Sequence, residues 1–341
     1  MYEVVDKPSH QKIIGTQWVL VDKDIPGKPQ PMRKARLCMR GDQEETQEVI
    51  HTDSPTVNPI NIKLMLTEAV RKGWKISSSD VTRAFLQTTE INRSVYVFPP
   101  KEAGLPRGKV WLLKRPAYGL IDAAHAFFIN FGDNLISLGC ETSKMDNATF
   151  YHFSDESKPG DEERNLDGIV GSHIDDFLEV SNDKMRTEVI DEMKKRFTFG
   201  SHDEIPFRYV GMNLEEEDGN VVINQDHFIE KLVAPEMNEI SSMKKETLLP
   251  EKYQTSFRSL VSKLNMLSMT ARPDITFDVK VLTTKYGKAL KHDLMQASRL
   301  LKKVTSSFLL IRPPTMQSPS PGEARRSRES STAPWAPRPL L

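Results

Sequence analysis

Midway along the chain runs Ile169-Val170-Gly171-Ser172-His173-Ile174-Asp175-Asp176-Phe177-Leu178-Glu179-Val180, two aspartates between two short apolar runs. Each run has the length and composition of a strand, so the stretch predicts a hairpin with both carboxylates at a tight turn on the rim of a sheet. Two like charges placed side by side raise each other's proton affinity, a cost that a cation offsets. Hard divalent ions such as Mg²⁺ take oxygen ligands and leave room for substrate phosphates. Aspartate also favours turns for its own reasons, so the pair alone is compatible with a plain solvated tip. What decides the matter is a second acidic position upstream.

That position is Asp80. In Trp74-Lys75-Ile76-Ser77-Ser78-Ser79-Asp80-Val81, strand alternation puts Trp74, Ile76, Ser78 and Asp80 on one face. Asp80 then falls where the strand gives way to a turn over Val81–Leu86. Backbone pairing would fix the residue there while its carboxylate reaches solvent, as a metal ligand requires. The same carboxylate can instead cap the turn.

The N-terminal part predicts a strand over 13–22, a Pro- and Gly-rich turn over Lys23–Pro31, and a cationic strand over Met32–Gly41. On that strand Lys34, Arg36 and Arg40 would share a face, a comb suited to phosphates. A solvated edge strand uses charge in the same way. From Asn58 to Lys72, Ile62, Met65, Leu66, Ala69 and Val70 recur at helical spacing, and Gly73 ends the pattern.

Short strands at Ser94–Phe98 and Lys109–Leu113 precede an amphipathic helix from about Asp122 to Leu138. Its aromatic stripe, with Phe127, Phe128 and Phe131, reads as core. A strand at Asn147–Phe153 and an acidic loop at Asp155–Asp167 lead into the aspartate hairpin. A helix at Asp183–Phe197 follows, with Lys194-Lys195-Arg196 at its end as the macrodipole favours. Next come strands at Phe207–Leu214 and Val221–Asn224, joined by a turn at Asp218-Gly219-Asn220 behind a solvated acidic tip. Helices near Gln225–Val233, Glu251–Thr270, Asp274–Tyr286 and Asp293–Val304 complete the ordered pattern. Residues 312–341 are rich in Pro and Ser without apolar periodicity, and are expected to stay disordered.

Composition narrows the partners little. Lys plus Arg number 47 and Asp plus Glu also 47, which argues against a strongly basic binder but permits a local basic groove. With two cysteines, Cys38 and Cys140, a disulfide scaffold or cysteine-based zinc site is excluded, and a reducing, intracellular setting is expected. Apolar runs stay well short of the roughly 20 residues of a membrane span, and the N-terminus lacks a signal-peptide pattern.

Asp80 and the Asp175-Asp176 pair are compatible with neighbouring strands of one antiparallel sheet carrying helices on one face. Three converging carboxylates suit two Mg²⁺ ions and phosphoryl or nucleotidyl transfer. Paired glycosidase carboxylates and a metal-dependent nuclease fit the same residues.

The motifs in series separate these readings. Asp80-Val81-Thr82-Arg83-Ala84-Phe85-Leu86, Val95-Tyr96-Val97-Phe98-Pro99-Pro100, Ala117-Tyr118-Gly119-Leu120 and His173-Ile174-Asp175-Asp176 resemble the reverse transcriptase of copia-type LTR retrotransposons. Gln17-Trp18-Val19, Lys34-Ala35-Arg36-Leu37 and Arg40-Gly41 resemble that family's opening motifs. Tyr209-Val210-Gly211, Ile223-Asn224-Gln225 and Thr270-Ala271-Arg272-Pro273-Asp274 fit its later ones, so the likeness runs from residue 10 to about 305.

The resemblance implies an α+β right-hand polymerase with fingers, a ferredoxin-like antiparallel palm sheet and a helical thumb leading to a connection. Fingers and palm would take residues 1–235, the thumb and start of the connection 236–311, and the tail 312–341. The implied activity is RNA-directed DNA polymerisation, adding dNTPs to a primer 3′-hydroxyl on an RNA or DNA template. Asp80, Asp175 and Asp176 would hold two Mg²⁺ ions, with Mn²⁺ as a substitute. Lys34 and Arg36 would meet the triphosphate, with Arg40 near them. Tyr118 and Gly119 would form part of the nucleotide floor, and Phe85 would lie under the sugar and exclude a 2′-hydroxyl.

The sequence also departs from the family. Ile121-Asp122 stand where Lys-Gln is common, His125-Ala126-Phe127 where Arg-Ala-Trp is common, and His173 where Tyr is common. The expected partners are template–primer and dNTPs, with no membrane, in the cytoplasm (a retroelement particle) or the nucleus. Protease, integrase and RNase H are expected to be missing from this chain, which reads as a fragment of a Pol polyprotein. A catalytically silent nucleic-acid-binding remnant is the competing reading.

Overall fold

The computed structural model describes residues 1–23, 31–45, 50–154, 164–304 and 309–311. Most of the expected turn over Lys23–Pro31, most of the acidic loop at Asp155–Asp167 and the 312–341 tail lie outside the described residues. In chain order the strands are β1 (Tyr2–Asp6), β2 (Ile13–Ile14), β3 (Thr16–Lys23), β4 (Met32–Met39), β5 (Lys75–Val81), β6 (Val95–Val97), β7 (Lys109–Leu113), β8 (Cys140–Thr142), β9 (Thr149–Phe153), β10 (Leu166–His173), β11 (Asp176–Ser181), β12 (Phe199–Glu204), β13 (Phe207–Tyr209), β14 (Met212–Glu217), β15 (Asn220–Asn224) and β16 (Leu309–Ile311). Helices lie between them, so the fold is α+β, as the sequence implied.

The central sheet has six antiparallel strands in the order β12-β5-β11-β10-β9-β8. Its first four positions follow the 4-1-3-2 order of a split βαβ unit, the ferredoxin-like arrangement. Alternation sends Val81, Val170 and Phe177 to one face, where Phe127, Phe131 and Leu135 of the helix Ala123–Ser137 pack with Met185, Val189 and Met193. Ile76, Ile169, Leu178 and Val180 point to the other face.

That second face is covered too, which corrects the expectation of helices on one side only. The helix Pro59–Lys72 lies against it with Ile62, Met65, Leu66 and Ala69, all buried. Beside it lie Tyr209, Met212, Leu214, Val221 and Ile223 from a second antiparallel sheet, β13-β14-β15-β16. A sheet covered on both faces buries its central strands almost end to end, as it does β10 and β11. The covering helix is well terminated. The Asn58 side chain accepts a bond from the Ile60 N–H at 2.9 Å, Pro59 occupies its first turn, and Gly73 ends it at φ 66°.

Several elements differ from the sequence reading for local reasons. The strand over 13–22 breaks at Gly15, so β2 joins β6 in parallel while β3 pairs with β4. The strand over Phe207–Leu214 folds back at Val210-Gly211, both at positive φ, into the β13–β14 hairpin. The helix Asp183–Phe197 carries a π-helical turn at Arg186–Ile190. The stretch Gln225–Val233 is helical only at Asp226–Ile229. After residue 236 helices dominate, with Phe257, Leu264, Leu267, Ile275, Val279 and Leu294 in their own core. The return of β16 onto β15 was not expected, nor was β1, which pairs with β7. Among the described residues, no helix is long and apolar enough to cross a membrane.

Candidate active site

The adjacency of β5 and β11 brings the acidic residues together. In their ladder Asp80 stands opposite Asp176, and the Val81 N–H donates to the Asp175 carbonyl at 3.0 Å. The β10–β11 turn is tight, with Ile174 at φ 59°. A β-branched residue in the left-handed region stores strain that only a well-determined surrounding holds. One carboxylate oxygen from each of Asp80, Asp175 and Asp176 lies within 4.8 Å of the others. Three hard oxygen donors this close suit a divalent cation such as Mg²⁺ far better than they suit one another.

The neighbouring strand leaves space for this cluster. The β12–β5 register shifts between Phe199 and Ser201, with Gly200 at the irregularity. A Cβ on Gly200 would sit 2.7 Å from Asp80 Oδ2 and 2.6 Å from Thr82 Oγ1. The cradle beside the Asp80 carboxylate therefore exists because residue 200 has no side chain. The sequence reading missed Gly200, since strand pairing alone reveals the contact.

Beside the carboxylates opens a pocket of about 510 Å³, lined by Lys34, Arg36, Asp80, Arg83, Tyr118 and Asp175 among others. Lys34 and Arg36 thus reach the same pocket as the acidic residues, from a strand that also contributes Ala35, Leu37 and Met39. Arg40 does not join them. It follows the end of β4 and pairs with Asp42 at 2.7 Å. The basic run at Lys194–Arg196 is likewise engaged locally, Lys194 with Asp191 at 3.5 Å and Lys195 with Glu192, while Arg196 donates to Asn134.

The pocket floor carries Tyr118. Its ring lies under the Arg36 guanidinium at 5.8 Å. Burial pushes its phenol pKa up, and the Asp175 charge adds to this. Gly119 does not line the pocket. Its φ of 92° and an added Cβ only 2.1 Å from the Met39 carbonyl oxygen show what it is needed for. It lets the 117–120 turn close on β4, where Met39 N–H donates to Tyr118 O at 2.7 Å and Gly41 N–H to Gly119 O at 3.1 Å. Phe85 is also absent from the lining. Its ring packs behind Tyr118, centroids 4.8 Å apart, and against Phe127 at 6.4 Å.

Two further residues shape the surroundings. Tyr209 is buried under the cluster, donates its hydroxyl to Gly171 O at 3.1 Å, and has its pKa raised by burial and then by Asp176. Asp122, which stands where the family has Gln, pairs with Arg93, whose guanidinium also meets Glu44 at 3.0 Å. This ion cluster ties the floor turn to the loop before β6.

Three carboxylates thus meet at the junction of the central strands of an α+β fold, and the chain belongs to the reverse transcriptase (RNA-dependent DNA polymerase) family, whose model matches residues 1–247. The relatives are retroelement proteins. The chain is 26% identical over 313 residues to the retrovirus-related Pol polyprotein from transposon RE1 of Arabidopsis thaliana, covering 86% of this chain and 20% of that one. To the corresponding polyprotein from transposon RE2 it is 25% identical over 292 residues, covering 81% and 19%. The chain thus spans about a fifth of the length of these relatives. A foamy viral protease-reverse transcriptase in complex with double-stranded DNA aligns at a TM-score of 0.46 and 11% identity, over 89% of this chain and 45% of that one. The retrotransposon Pol resemblance read from the motifs is borne out by the family and the RE1 and RE2 relatives.

Proposed function

We propose that this chain is an RNA-directed DNA polymerase that adds dNTPs to a primer 3′-hydroxyl on an RNA or DNA template. The observation that carries the proposal is the convergence of Asp80, Asp175 and Asp176 within 4.8 Å beside a pocket that also presents Lys34 and Arg36. Opposite charges on facing walls suit a metal–triphosphate, whereas glycosidase carboxylates need no cationic wall.

In this reading residues 1–235 are fingers and palm, and 236–311 the thumb and start of the connection. Asp80, Asp175 and Asp176 are the ligands for two Mg²⁺ ions, or Mn²⁺ in their place. Bound there, the ions supply Lewis acidity to the primer hydroxyl and the departing pyrophosphate. The protein's own part is positional. Lys34 and Arg36 bind the triphosphate charge, and Tyr118, steadied by Phe85, forms the floor under the nucleotide. The ladder holding Asp80 opposite Asp176 fixes the carboxylates before substrate arrives, so little reorganisation is needed at reaction.

Primer extension by the full chain on an RNA template, with Mg²⁺ and dNTPs, tests the proposal. Template-dependent products lost in Asp175→Asn are the expected result. Binding of primer–template without extension would replace the polymerase reading with that of a silent binding remnant.

A further inference from the structure

We propose that Arg83 is a third triphosphate-binding cation of this site, an assignment that rests on the polymerase reading and adds a residue to it. Arg83 lies three residues beyond Asp80 and lines the same pocket as Lys34, Arg36, Asp175 and Tyr118. Its side chain is exposed. Most arginines near the site are already engaged. Arg40 pairs with Asp42, Arg93 with Glu44 and Asp122, and Arg186 with Glu204. Among the described residues Lys34, Arg36 and Arg83 make no ion pair, and all three meet at this pocket. A triphosphate brings several negative charges into a small volume, and arginine binds phosphate oxygens through two parallel N–H donors.

The backbone at Arg83 supports the same assignment. It adopts φ 53°, ψ 44°, a left-handed conformation that disfavours most residues with a Cβ and suits glycine or, less well, asparagine. The turn uses only its main chain, since the Arg83 carbonyl accepts from the Leu86 N–H at 2.9 Å. A long cationic side chain is therefore kept where the backbone alone would prefer glycine. Strain of this kind clusters at ligand-binding positions, which is in keeping with the assignment that the pocket geometry carries.

This conflict gives the test its form. Arg83→Gly removes the cation while relieving the backbone, so a structural role and a binding role predict opposite results. The full chain is titrated with inorganic tripolyphosphate and with dTTP by calorimetry, and single-nucleotide extension is run alongside. Arg83→Gly and Arg83→Ala are expected to weaken binding of both probes about tenfold, the loss of one charge-assisted contact. Arg83→Lys should recover part of it, and KM for dNTP should rise more than kcat falls. Melting temperature should hold or rise in Arg83→Gly. Wild-type affinity in both the Gly and Ala variants overturns the assignment while extension by the parent chain keeps the polymerase reading. Conversely, tripolyphosphate binding that depends on Arg83 in a chain that extends nothing keeps the assignment and removes that reading. Binding lost together with melting temperature in Arg83→Gly makes the residue part of the turn, which also overturns it.

Discussion

Asp80 and Asp176 face each other across the β5–β11 ladder, cross-strand partners at the junction of two central strands. Like charges directly opposite one another destabilise a sheet, so this pair sits against the fold's own preference, with Asp175 beside it at the turn. On the proposed reading the arrangement trades stability for a cation site, and its variants should show both sides of the exchange.

Replacing Asp80 or Asp175 with Asn removes a charge at constant shape. Primer extension should fall at least about a hundredfold, the scale of losing one preorganised electrostatic partner. In metal-free buffer the melting temperature should hold or rise, because repulsion within the cluster is relieved. Added Mn²⁺ should raise the melting temperature of the parent chain more than that of either variant, as binding linkage requires. A thermal-shift titration beside an extension assay measures both.

Gly200→Ala tests the cradle. The added methyl meets Asp80 Oδ2 and Thr82 Oγ1, both ends of side chains that can move aside, so the fold itself is spared. The carboxylate is not spared, and displacements approaching an ångström at a reacting centre cost about a hundredfold in rate. The expected outcome is weaker Mn²⁺ binding by electron paramagnetic resonance and strongly reduced extension, at nearly unchanged melting temperature. Unchanged Mn²⁺ affinity would show that Asp80 does not need the space.

The convergence of the aspartates was legible in the sequence because Asp175 and Asp176 lie between two apolar runs, Asp80 ends a segment with strand alternation, and the ordered motifs supplied their common sheet. Lys34 and Arg36 were legible for the same reason, by alternation along β4. Arg40 was not, since nothing in its spacing reveals that β4 stops at Met39 and that Asp42 claims the guanidinium. Gly119 was expected at the nucleotide floor by motif, whereas in the structure it lies off the pocket lining and serves a close backbone approach to Met39. Gly200 and the second cover of the central sheet depend on pairings between segments distant in sequence, and periodicity within one segment carries no trace of them. Strand β1 escaped because it is short and its partner, β7, lies far along the sequence.

Glu179 offers a pH-dependent prediction away from the cluster. It is buried in β11, and burial raises its carboxyl pKa, with the Arg186 guanidinium at 4.0 Å acting in the opposite direction. A raised folded pKa means the protonated form is favoured in the fold. The stabilising effect is thus fully present below the unfolded pKa and is lost as pH rises through the folded value. Glu179→Gln removes the buried charge and should raise the melting temperature at pH 8 by about 2–4 °C, the effect of 1 kcal/mol on a domain of this size. The gain should shrink towards pH 4. Melting curves across that range measure it, and a loss of stability at pH 8 would mean that the pair with Arg186 outweighs burial.

Phe85 carries the last prediction, on sugar selection. The family resemblance puts this ring under the sugar, and the structure packs it against Tyr118, 4.8 Å between centroids, and against Phe127 at 6.4 Å. Tyr118 lines the pocket and Phe85 does not, so discrimination against a 2′-hydroxyl would depend on how rigidly Phe85 backs the Tyr118 wall. A ring packed against two other rings yields little, and one extra oxygen then displaces the sugar from its reactive geometry. Phe85→Val keeps an apolar contact but leaves a gap behind Tyr118 into which the wall can retreat. Ribonucleotide incorporation relative to deoxyribonucleotide should rise about tenfold, read as the ratio of kcat/KM values. The lost ring contacts should cost about 1–3 kcal/mol of stability. Tyr118→Phe, which keeps the wall and its backing, should leave the ratio unchanged. An equal loss of both activities in Phe85→Val, with no change in their ratio, would make the ring packing alone and move sugar selection elsewhere in the pocket.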